Sequence, residues 1–171
     1  KIQGHGYAEY YEKYFKNLRS ERLNILEIGS FHGNASASFF FYFKRAKIYS
    51  GDIFPDLFRF KSKRIFNFYV DSSNEDSIRN EIISKKVDYD IIIEDASHAF
   101  KDQIISLFLL FRALKSGGLF IVEELDFPDR RKDMNLNEEK PTLREILNFI
   151  NDNKKFDTKY VTDEDMKYFL K

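Results

Sequence analysis

The segment DIIIEDASH, from Asp90 to His98, is the part of the sequence that most constrains the fold. The apolar residues 91–93 suit a strand in a parallel sheet that is covered on both faces. Glu94, Asp95 and His98 follow at once, and such groups are costly to bury without a partner, a metal or a ligand. Ligands of open α/β sheets bind beyond the carboxyl ends of the strands. We therefore expect a functional site at the end of this strand.

The other apolar segments alternate between strand and helix patterns, which predicts a Rossmann-like three-layer α/β/α sandwich with a mostly parallel sheet. We expect strands over residues 24–28, 47–50, 65–70, 89–94 and 119–122. Helices are expected over residues 7–19, 35–43, about 75–86, 101–114 and about 143–151. Residues 159–162 are expected to begin a sixth strand, and the last strands of the fold are expected to be absent.

Two further features concern the ends of elements. Gly117 and Gly118 follow the helix at 101–114, where glycine is expected to act as a C-cap. The polar segment 126–140 is expected to form a mobile loop. We expect all 171 residues to form one domain, with an N-terminal helical segment over residues 1–20.

Composition excludes several classes of protein. Lys plus Arg and Asp plus Glu both number 28, a balance that argues against a general nucleic-acid-binding surface. The absence of cysteine excludes disulfides, thiolate zinc sites and cysteine nucleophiles. No apolar run approaches the roughly 18 residues needed to span a bilayer, and there is no signal-peptide pattern. We therefore expect a cytoplasmic protein with neither a nucleic-acid nor a membrane partner.

The glycine turn after the first strand indicates the kind of ligand. It reads E-x-G-x-x-x-G, from Glu27 through Gly29 to Gly33, and the helix that follows presents free N–H groups. Phe31 replaces the middle glycine of a dinucleotide fingerprint, and the Gly-Lys-Ser/Thr ending of a P-loop is absent. We expect a ligand without a pyrophosphate, which leaves an NAD-dependent oxidoreductase as the less favoured alternative.

Carboxylates follow the second and third strands. Asp52 lies about 20 residues or slightly more past the glycine turn, where an acid can bind ribose hydroxyls. Its alternative role is to cap the next turn. Asp71, Ser72 and Ser73 are candidates to cap the helix that begins near Glu75, and Asp71 is a candidate to bind the exocyclic amine of a base; the two roles are compatible.

Acids at the ends of the fourth and fifth strands predict a cation site. Asp95 follows the fourth strand, and Glu123 and Glu124 follow the fifth. Like charges repel when they are brought together, so a cation would compensate them; the alternative is that these are solvated loop acids. His98 has an intrinsic pKa near neutrality and is a candidate general base, the alternative being a helix cap.

Four segments in order carry a resemblance to a known family. They are H-G-Y at 5–7, L-E-I-G at 26–29, DIIIEDASH at 90–98 and LKSGGLFIVEEL at 114–125. The chain resembles class I S-adenosylmethionine-dependent methyltransferases over about residues 4–126. Within them it is most similar to the metal-dependent macrolide-sugar O-methyltransferases of the mycinamicin and macrocin type and to the cephalosporin-hydroxylase-like proteins.

The resemblance implies S-adenosylmethionine and Mg²⁺ as cofactors, and O-methylation of a hydroxyl on a sugar-like or polyketide small molecule. It assigns cofactor binding to Glu27, Gly29, Ser30, Gly33, Asp52, Asp71 and Ser72. It assigns the metal to Asp95, Glu123 and Glu124, and the general base to His98. It places His5 and Tyr7 in the substrate site.

The chain departs from the pattern of this branch at three positions. Glu94 and Glu124 stand where the branch commonly has Asp, and Ala96 stands where it has Gly. Because Mg²⁺ demands near-octahedral geometry, a longer Glu side chain would shift or weaken the site. A non-catalytic cofactor-binding domain of the same fold is therefore a further alternative, and a homo-oligomer is compatible with the sequence.

Overall fold

The computed structural model describes residues 6–170, which form a parallel β-sheet with helices on both faces. The strands are β1 (Asn24–Ile28), β2 (Lys47–Asp52), β3 (Ile65–Tyr69), β4 (Tyr89–Glu94) and β5 (Leu114–Val122). The helices are α1 (Tyr7–Phe15), α2 (Asn34–Tyr42), α3 (Glu75–Glu81), α4 (Phe100–Leu110), α5 (Phe127–Arg130), α6 (Leu143–Asn151) and α7 (Asp163–Phe169). The predicted fold class is confirmed.

The strand order β3-β2-β1-β4-β5 places β1 at the centre of the sheet. Ile28, the last residue of β1, pairs with Gly51 of β2 on one side and with Glu94 of β4 on the other. The chain order of the strands reverses between β1 and β4, and a sheet of this kind has its ligand crevice at that point. The carboxyl ends of the central strands therefore open into one crevice.

The apolar run of β4 is covered on both faces, as its sequence predicted. Ile91 and Ile93 pack in the cluster that contains Phe15 and Phe43, while Ile92 packs against α4 on the opposite face. These three isoleucines are at most 1% exposed. Because successive side chains of a strand point to opposite faces, one short run contributes to two cores and fixes the three-layer architecture.

The structure corrects the prediction of a glycine helix cap at Gly117 and Gly118. Helix α4 ends at Leu110, a 3₁₀ turn follows, and β5 already begins at Leu114. The register with β4 shifts between Tyr89 and Ile91, and Gly117 has a φ of 76°. A glycine with positive φ accommodates extra residues in one strand of a pair. The glycines therefore form an irregularity within β5.

The expected sixth strand at 159–162 is also wrong. Thr162 caps α7 instead, and its hydroxyl oxygen accepts a hydrogen bond from the backbone N–H of Asp165 at 3.1 Å. Arg112 donates to the Asp165 carboxylate over 2.8 Å. The polar Thr-Asp-Glu-Asp sequence favours a helix N-terminus over a strand, because it supplies a cap and negative charge in the first turn.

The segment 126–140 contains α5 and a short 3₁₀ turn over Lys132–Met134. Asp129 pairs with Lys140 at 3.0 Å and with Arg144 at 2.9 Å. The mobility of this segment stays a prediction. No helix within residues 6–170 has the length and apolar character that crossing a membrane requires.

Candidate functional site

The turn after β1 lies directly against the end of β4. Gly29 has a φ of 88°, and an added Cβ would lie 1.9 Å from the carbonyl oxygen of Asp95. Gly33 has a φ of 80°, and a Cβ there would lie 2.4 Å from the ring of Phe58. At both positions a side chain would clash with neighbouring atoms. Both glycines also have a backbone conformation that residues with a side chain rarely adopt.

Glu27 is buried beneath this turn and accepts a hydrogen bond from the hydroxyl of Ser36. The Ser36 hydroxyl also lies 2.7 Å from that of Ser50. The pKa of Glu27 is raised to about 7, mainly by burial; the hydrogen bond from Ser36 lowers the pKa and the neighbouring carboxylate of Asp95 raises it. The two serines were not predictable from the sequence, because their alignment with Glu27 depends on the packing of α2 on β2.

Asp52 joins the turn after β1 to the end of β2. Its Oδ2 accepts the backbone N–H of Phe31 at 2.6 Å, and its Oδ1 accepts that of Phe54 at 2.8 Å. Asp52 therefore caps the turn that follows β2, which was the alternative role predicted for it. A carboxylate has about four lone-pair positions, so acceptor capacity remains for a ligand hydroxyl.

A cleft of about 400 Å³ lies at the carboxyl ends of β1 to β4. Its lining includes five predicted site residues, namely Gly29, Asp52, Asp71, Ser72 and Asp95. Ser30 and Gly33 are not part of that lining, and the Ser30 hydroxyl is buried without a hydrogen-bond partner among residues 6–170. The volume falls within the range of small-molecule sites.

Asp71 does not cap α3. Its Oδ1 accepts the backbone N–H and the hydroxyl of Ser73, at 2.9 and 2.7 Å. Asn74 is the cap, because its side-chain oxygen accepts the N–H groups of Asp76 and Ser77 at 2.9 and 3.3 Å. Asparagine is a preferred N-cap residue, so the sequence did contain the signal. Asp71 lines the cleft, and its Oδ1 is engaged in the hydrogen bonds to Ser73 that hold the local turn.

One buried acid, Glu94, and three half-buried acids, Asp95, Glu123 and Glu124, lie at the ends of β4 and β5. Burial raises the pKa of Asp95 to about 7, and the nearby carboxylates of Glu123 and Glu124 raise it as well. Burial raises the pKa of Glu94 to about 8, although the backbone at Ala96 partly favours its charged form. Neither Glu94 carboxylate oxygen has a well-formed hydrogen bond within the described part of the chain. Burial therefore favours the protonated form of Glu94.

Two tyrosines of α1 reach the acids that follow β5. The hydroxyl of Tyr11 donates to Glu123 Oε1, and that of Tyr7 donates to Glu124 Oε1 at 3.0 Å. Burial and the Glu124 carboxylate raise the pKa of Tyr7 to about 12. On the other side, the Gln103 side chain donates to the carbonyl of Glu124 at 3.1 Å. The sequence predicted Tyr7 in the site but missed Tyr11 and Gln103.

The metal ligands assigned by the resemblance remain a prediction. Across residues 6–170, no group of three or more His, Asp or Glu side chains is arranged to hold a metal ion. The chemistry of the donors nevertheless fits Mg²⁺, which prefers carboxylate oxygen. The mutual repulsion among Asp95, Glu123 and Glu124 is also of the kind that a cation relieves.

His98 lies beside the acids, with its Nε2 3.6 Å from Asp95 Oδ1. Its φ is 56°, and its ring meets that of Phe127 edge to face at 5.2 Å. It does not cap α4, because Ala99 is the N-cap residue of that helix; the neighbouring Ser97 hydroxyl donates to Asp102 at 2.6 Å and accepts the N–H of Ala99 at 3.2 Å. His5 lies outside the described residues.

No protein-family model matches the chain. It is 28% identical over 128 residues to demethylmacrocin O-methyltransferase of Streptomyces fradiae. It is 30% identical over 128 residues to 8-demethyl-8-alpha-L-rhamnosyl tetracenomycin-C 2'-O-methyltransferase of Streptomyces olivaceus. Each match covers 71% of this chain but only 32% and 33% of the relatives, so the chain spans about a third of their length.

Among solved structures, the chain is similar to the MycE methyltransferase of the mycinamycin biosynthetic pathway, crystallised with Mg and SAH. The TM-score is 0.75 at 22% identity, over 86% of this chain and 43% of that one. This likeness establishes the shared fold. Together the sequence and structure matches confirm that the chain resembles the class I S-adenosylmethionine-dependent methyltransferases, in the branch of the macrolide-sugar O-methyltransferases.

Proposed function

We propose that this domain transfers a methyl group from S-adenosylmethionine to a hydroxyl of a sugar-like or polyketide small molecule in the cytoplasm. The observation that carries the proposal is the continuity of the site. One cleft runs along the ends of β1 to β4 as far as Asp95, where the acid cluster and His98 begin. The two relatives are named as O-methyltransferases, one of demethylmacrocin and one of a rhamnosyl tetracenomycin.

Four of the seven residues assigned to the cofactor, namely Gly29, Asp52, Asp71 and Ser72, line the cleft, and this supports the assignment. Glu27, Gly29, Ser30 and Gly33 would hold the methionine end, Asp52 the ribose, and Asp71 with Ser72 the adenine. The buried Ser30 hydroxyl, which has no hydrogen-bond partner within residues 6–170, supports this assignment. The bound cofactor supplies an electrophilic methyl group on a sulfonium.

The acid cluster would hold Mg²⁺ through Asp95, Glu123 and Glu124. The ion, when bound, supplies a Lewis acid that lowers the pKa of a coordinated hydroxyl. The burial of Asp95 and its repulsion by the two glutamates support this role, since both penalise the uncompensated carboxylate. Asp95 would thereby help to place the acceptor hydroxyl beside His98.

His98 would take the proton of the acceptor hydroxyl at its ring nitrogen. Asp95 Oδ1 lies 3.6 Å from Nε2, and the ring contacts that of Phe127 edge to face at 5.2 Å, so the imidazole is positioned at the acid cluster. A positioned general base typically contributes about 10²- to 10⁴-fold to a rate. Tyr7, with His5, would line the acceptor side of the site.

The test is a methyl-transfer assay with 4-nitrophenyl α-L-rhamnoside as acceptor, with and without EDTA, on the unaltered protein and on His98→Ala. We expect both EDTA and the substitution to lower the rate, with S-adenosylhomocysteine binding retained. Full activity in both cases would overturn the mechanism. Calorimetry that showed NAD binding in place of S-adenosylhomocysteine would overturn the cofactor assignment.

A non-catalytic cofactor-binding domain is the second candidate. The tyrosine bonds to Glu123 and Glu124 favour it, because both acids already accept hydrogen bonds from α1. This candidate predicts cofactor binding without any effect of Mg²⁺ and without transfer to hydroxylated acceptors. The same calorimetry and assay therefore separate the two.

A further inference from the structure

Four tyrosines of α1 lie on one face of the helix. Tyr7, Tyr10, Tyr11 and Tyr14 are spaced by three, one and three residues, and positions three or four apart share a helical face. The ring of Tyr11 is anchored, since it stacks on Phe15 at 5.0 Å between centroids. Tyr10 and Tyr14 are 68% and 52% exposed. The helix thus presents two uncovered rings beside two that bind acids.

This face and the end of β5 enclose a second cleft of about 350 Å³, which we call the tyrosine cleft. Its walls are the four tyrosines together with Ile121 and Val122, and Glu123 is its charged member. A concave, mostly apolar site with one placed polar group is the usual form of a small-molecule pocket. The tyrosine cleft therefore adjoins the acid cluster without being part of the cofactor cleft.

We propose that the tyrosine cleft binds the apolar ring portion of the methyl acceptor, and that the acceptor is a hydroxylated glycoside with an aryl or similarly flat apolar aglycone. This assignment rests on the proposed function. Tyr10 and Tyr14 stack on the aglycone and determine acceptor specificity. Aromatic faces gain both from removing apolar surface from water and from ring geometry.

Glu123 places the inner end of the tyrosine cleft at the acid cluster, where the proposed function puts the metal and the acceptor hydroxyl. The hydroxyl of Tyr11, carried on an aromatic ring, donates to this carboxylate. A glycoside whose aglycone covers the outer tyrosines would direct its sugar hydroxyls to the same end.

The size of the tyrosine cleft suits a small molecule. A volume of about 350 Å³ lies within the range of small-molecule pockets. The ammonium of Lys13 lies 5.2 Å from the Tyr14 centroid and covers part of that ring. The remaining exposed aromatic surface suits one flat ligand group.

The test compares the binding of 4-nitrophenyl α-L-rhamnoside and of free L-rhamnose by calorimetry, in the presence of S-adenosylhomocysteine. We expect the aryl glycoside to bind more tightly than the free sugar. Tyr10→Ala and Tyr14→Ala should each weaken its binding about fivefold or more, while the corresponding Phe variants retain it. Tyr168→Ala, at a tyrosine on α7 that is 44% exposed, is the matched control and should change nothing.

Binding is measured without methyl transfer. A protein that lacks methyltransferase activity can therefore still bind the glycoside, and the two proposals can fail independently. Equal binding of sugar and glycoside would overturn the assignment, as would alanine variants that bind like the unaltered protein. Self-association that Tyr10→Ala abolishes would show that the face contacts a second copy instead. Hydrogen exchange gives an independent measure, and an unchanged exchange rate in α1 on glycoside addition would also count against the proposal.

Discussion

The Cα of Gly29 lies so close to Asp95 that an added Cβ would come within 1.9 Å of the Asp95 carbonyl oxygen. This contact joins the turn after β1 to the strand end that carries the acids. A shift of either segment must move the other, because main-chain atoms cannot yield as a flexible side chain can. The motif glycine thus couples the two halves of the site.

Gly29→Ala should therefore destabilise the fold more than a positive-φ glycine alone would require. Gly117→Ala is the matched control, since Gly117 has a φ of 76° and nothing within 4 Å of an added Cβ. The left-handed conformation costs an L-residue about 1–2 kcal/mol, and we expect Gly29→Ala to cost at least about 2 kcal/mol more. Denaturant unfolding measures both, and equal losses would contradict the coupling.

The buried acid Glu94 should make stability depend on pH. Burial raises its pKa from 4.5 to about 8, so the folded state binds a proton that the unfolded state releases between those values. Stability from this group is complete below pH 4.5 and is lost as pH rises toward 8, with a slope of at most about 1.4 kcal/mol per pH unit. Glu27 and Asp95, with pKa values raised to about 7, act in the same direction.

Glu94→Gln should flatten this pH dependence, because the amide cannot titrate. The measurement is thermal or denaturant unfolding from pH 5 to 8 in EDTA, which keeps metal out of the comparison. Glu9→Gln, at an exposed position of α1, is the control and should retain the full slope. An unchanged slope in Glu94→Gln would mean that the Glu94 carboxylate ionises at an ordinary pH in the folded state.

Tyr11→Phe should strengthen divalent-cation binding if Glu123 is a metal ligand. The Tyr11 hydroxyl donates to that carboxylate, and the bond competes with a cation for the same oxygen. Hydrogen bonds to charged groups contribute about 1.5–3 kcal/mol, part of which other contacts recover, so we expect a gain of about three- to tenfold.

The measurement is calorimetric titration with MgCl₂ alone, without cofactor or acceptor. Tyr42→Phe is the matched control, because the Tyr42 hydroxyl donates to Glu12 at 2.5 Å away from the acid cluster. It should leave the affinity unchanged. A weaker Mg²⁺ affinity in Tyr11→Phe would instead indicate that the tyrosine orients Glu123 for the metal.

The elements with strong periodic patterns were predictable from sequence, and the contacts between distant segments were not. The run 91–93 specified a strand covered on both faces, and the acids that follow it had to emerge at the crevice. The Tyr11–Glu123 bond spans 112 residues, and no local pattern encodes it. The prediction of a helix C-cap at Gly117 and Gly118 was wrong because a glycine pair after a helical pattern is typical both of a C-cap and of an irregularity in a strand.

The docking of α7 should depend on one buried ion pair. Asp165 is 3% exposed, and Arg112 donates to it over 2.8 Å. Arg112→Met retains the length and apolar stem of the side chain but leaves the Asp165 carboxylate without its main cation, although Arg79 lies 3.6 Å away. Removing one partner of a buried pair typically costs about 3–5 kcal/mol, and we expect the lower end because Arg79 compensates in part.

Glu164→Gln is the control for that substitution, since Glu164 also pairs with Arg112, at 3.1 Å, but its side chain is 83% exposed. An exposed pair contributes about 0–1 kcal/mol, so this variant should unfold nearly as the unaltered protein does. Hydrogen exchange should show the loss in Arg112→Met as faster exchange within α7 and the adjoining end of α4. If both variants lost the same stability, the surface pair rather than the buried carboxylate would hold the helix in place.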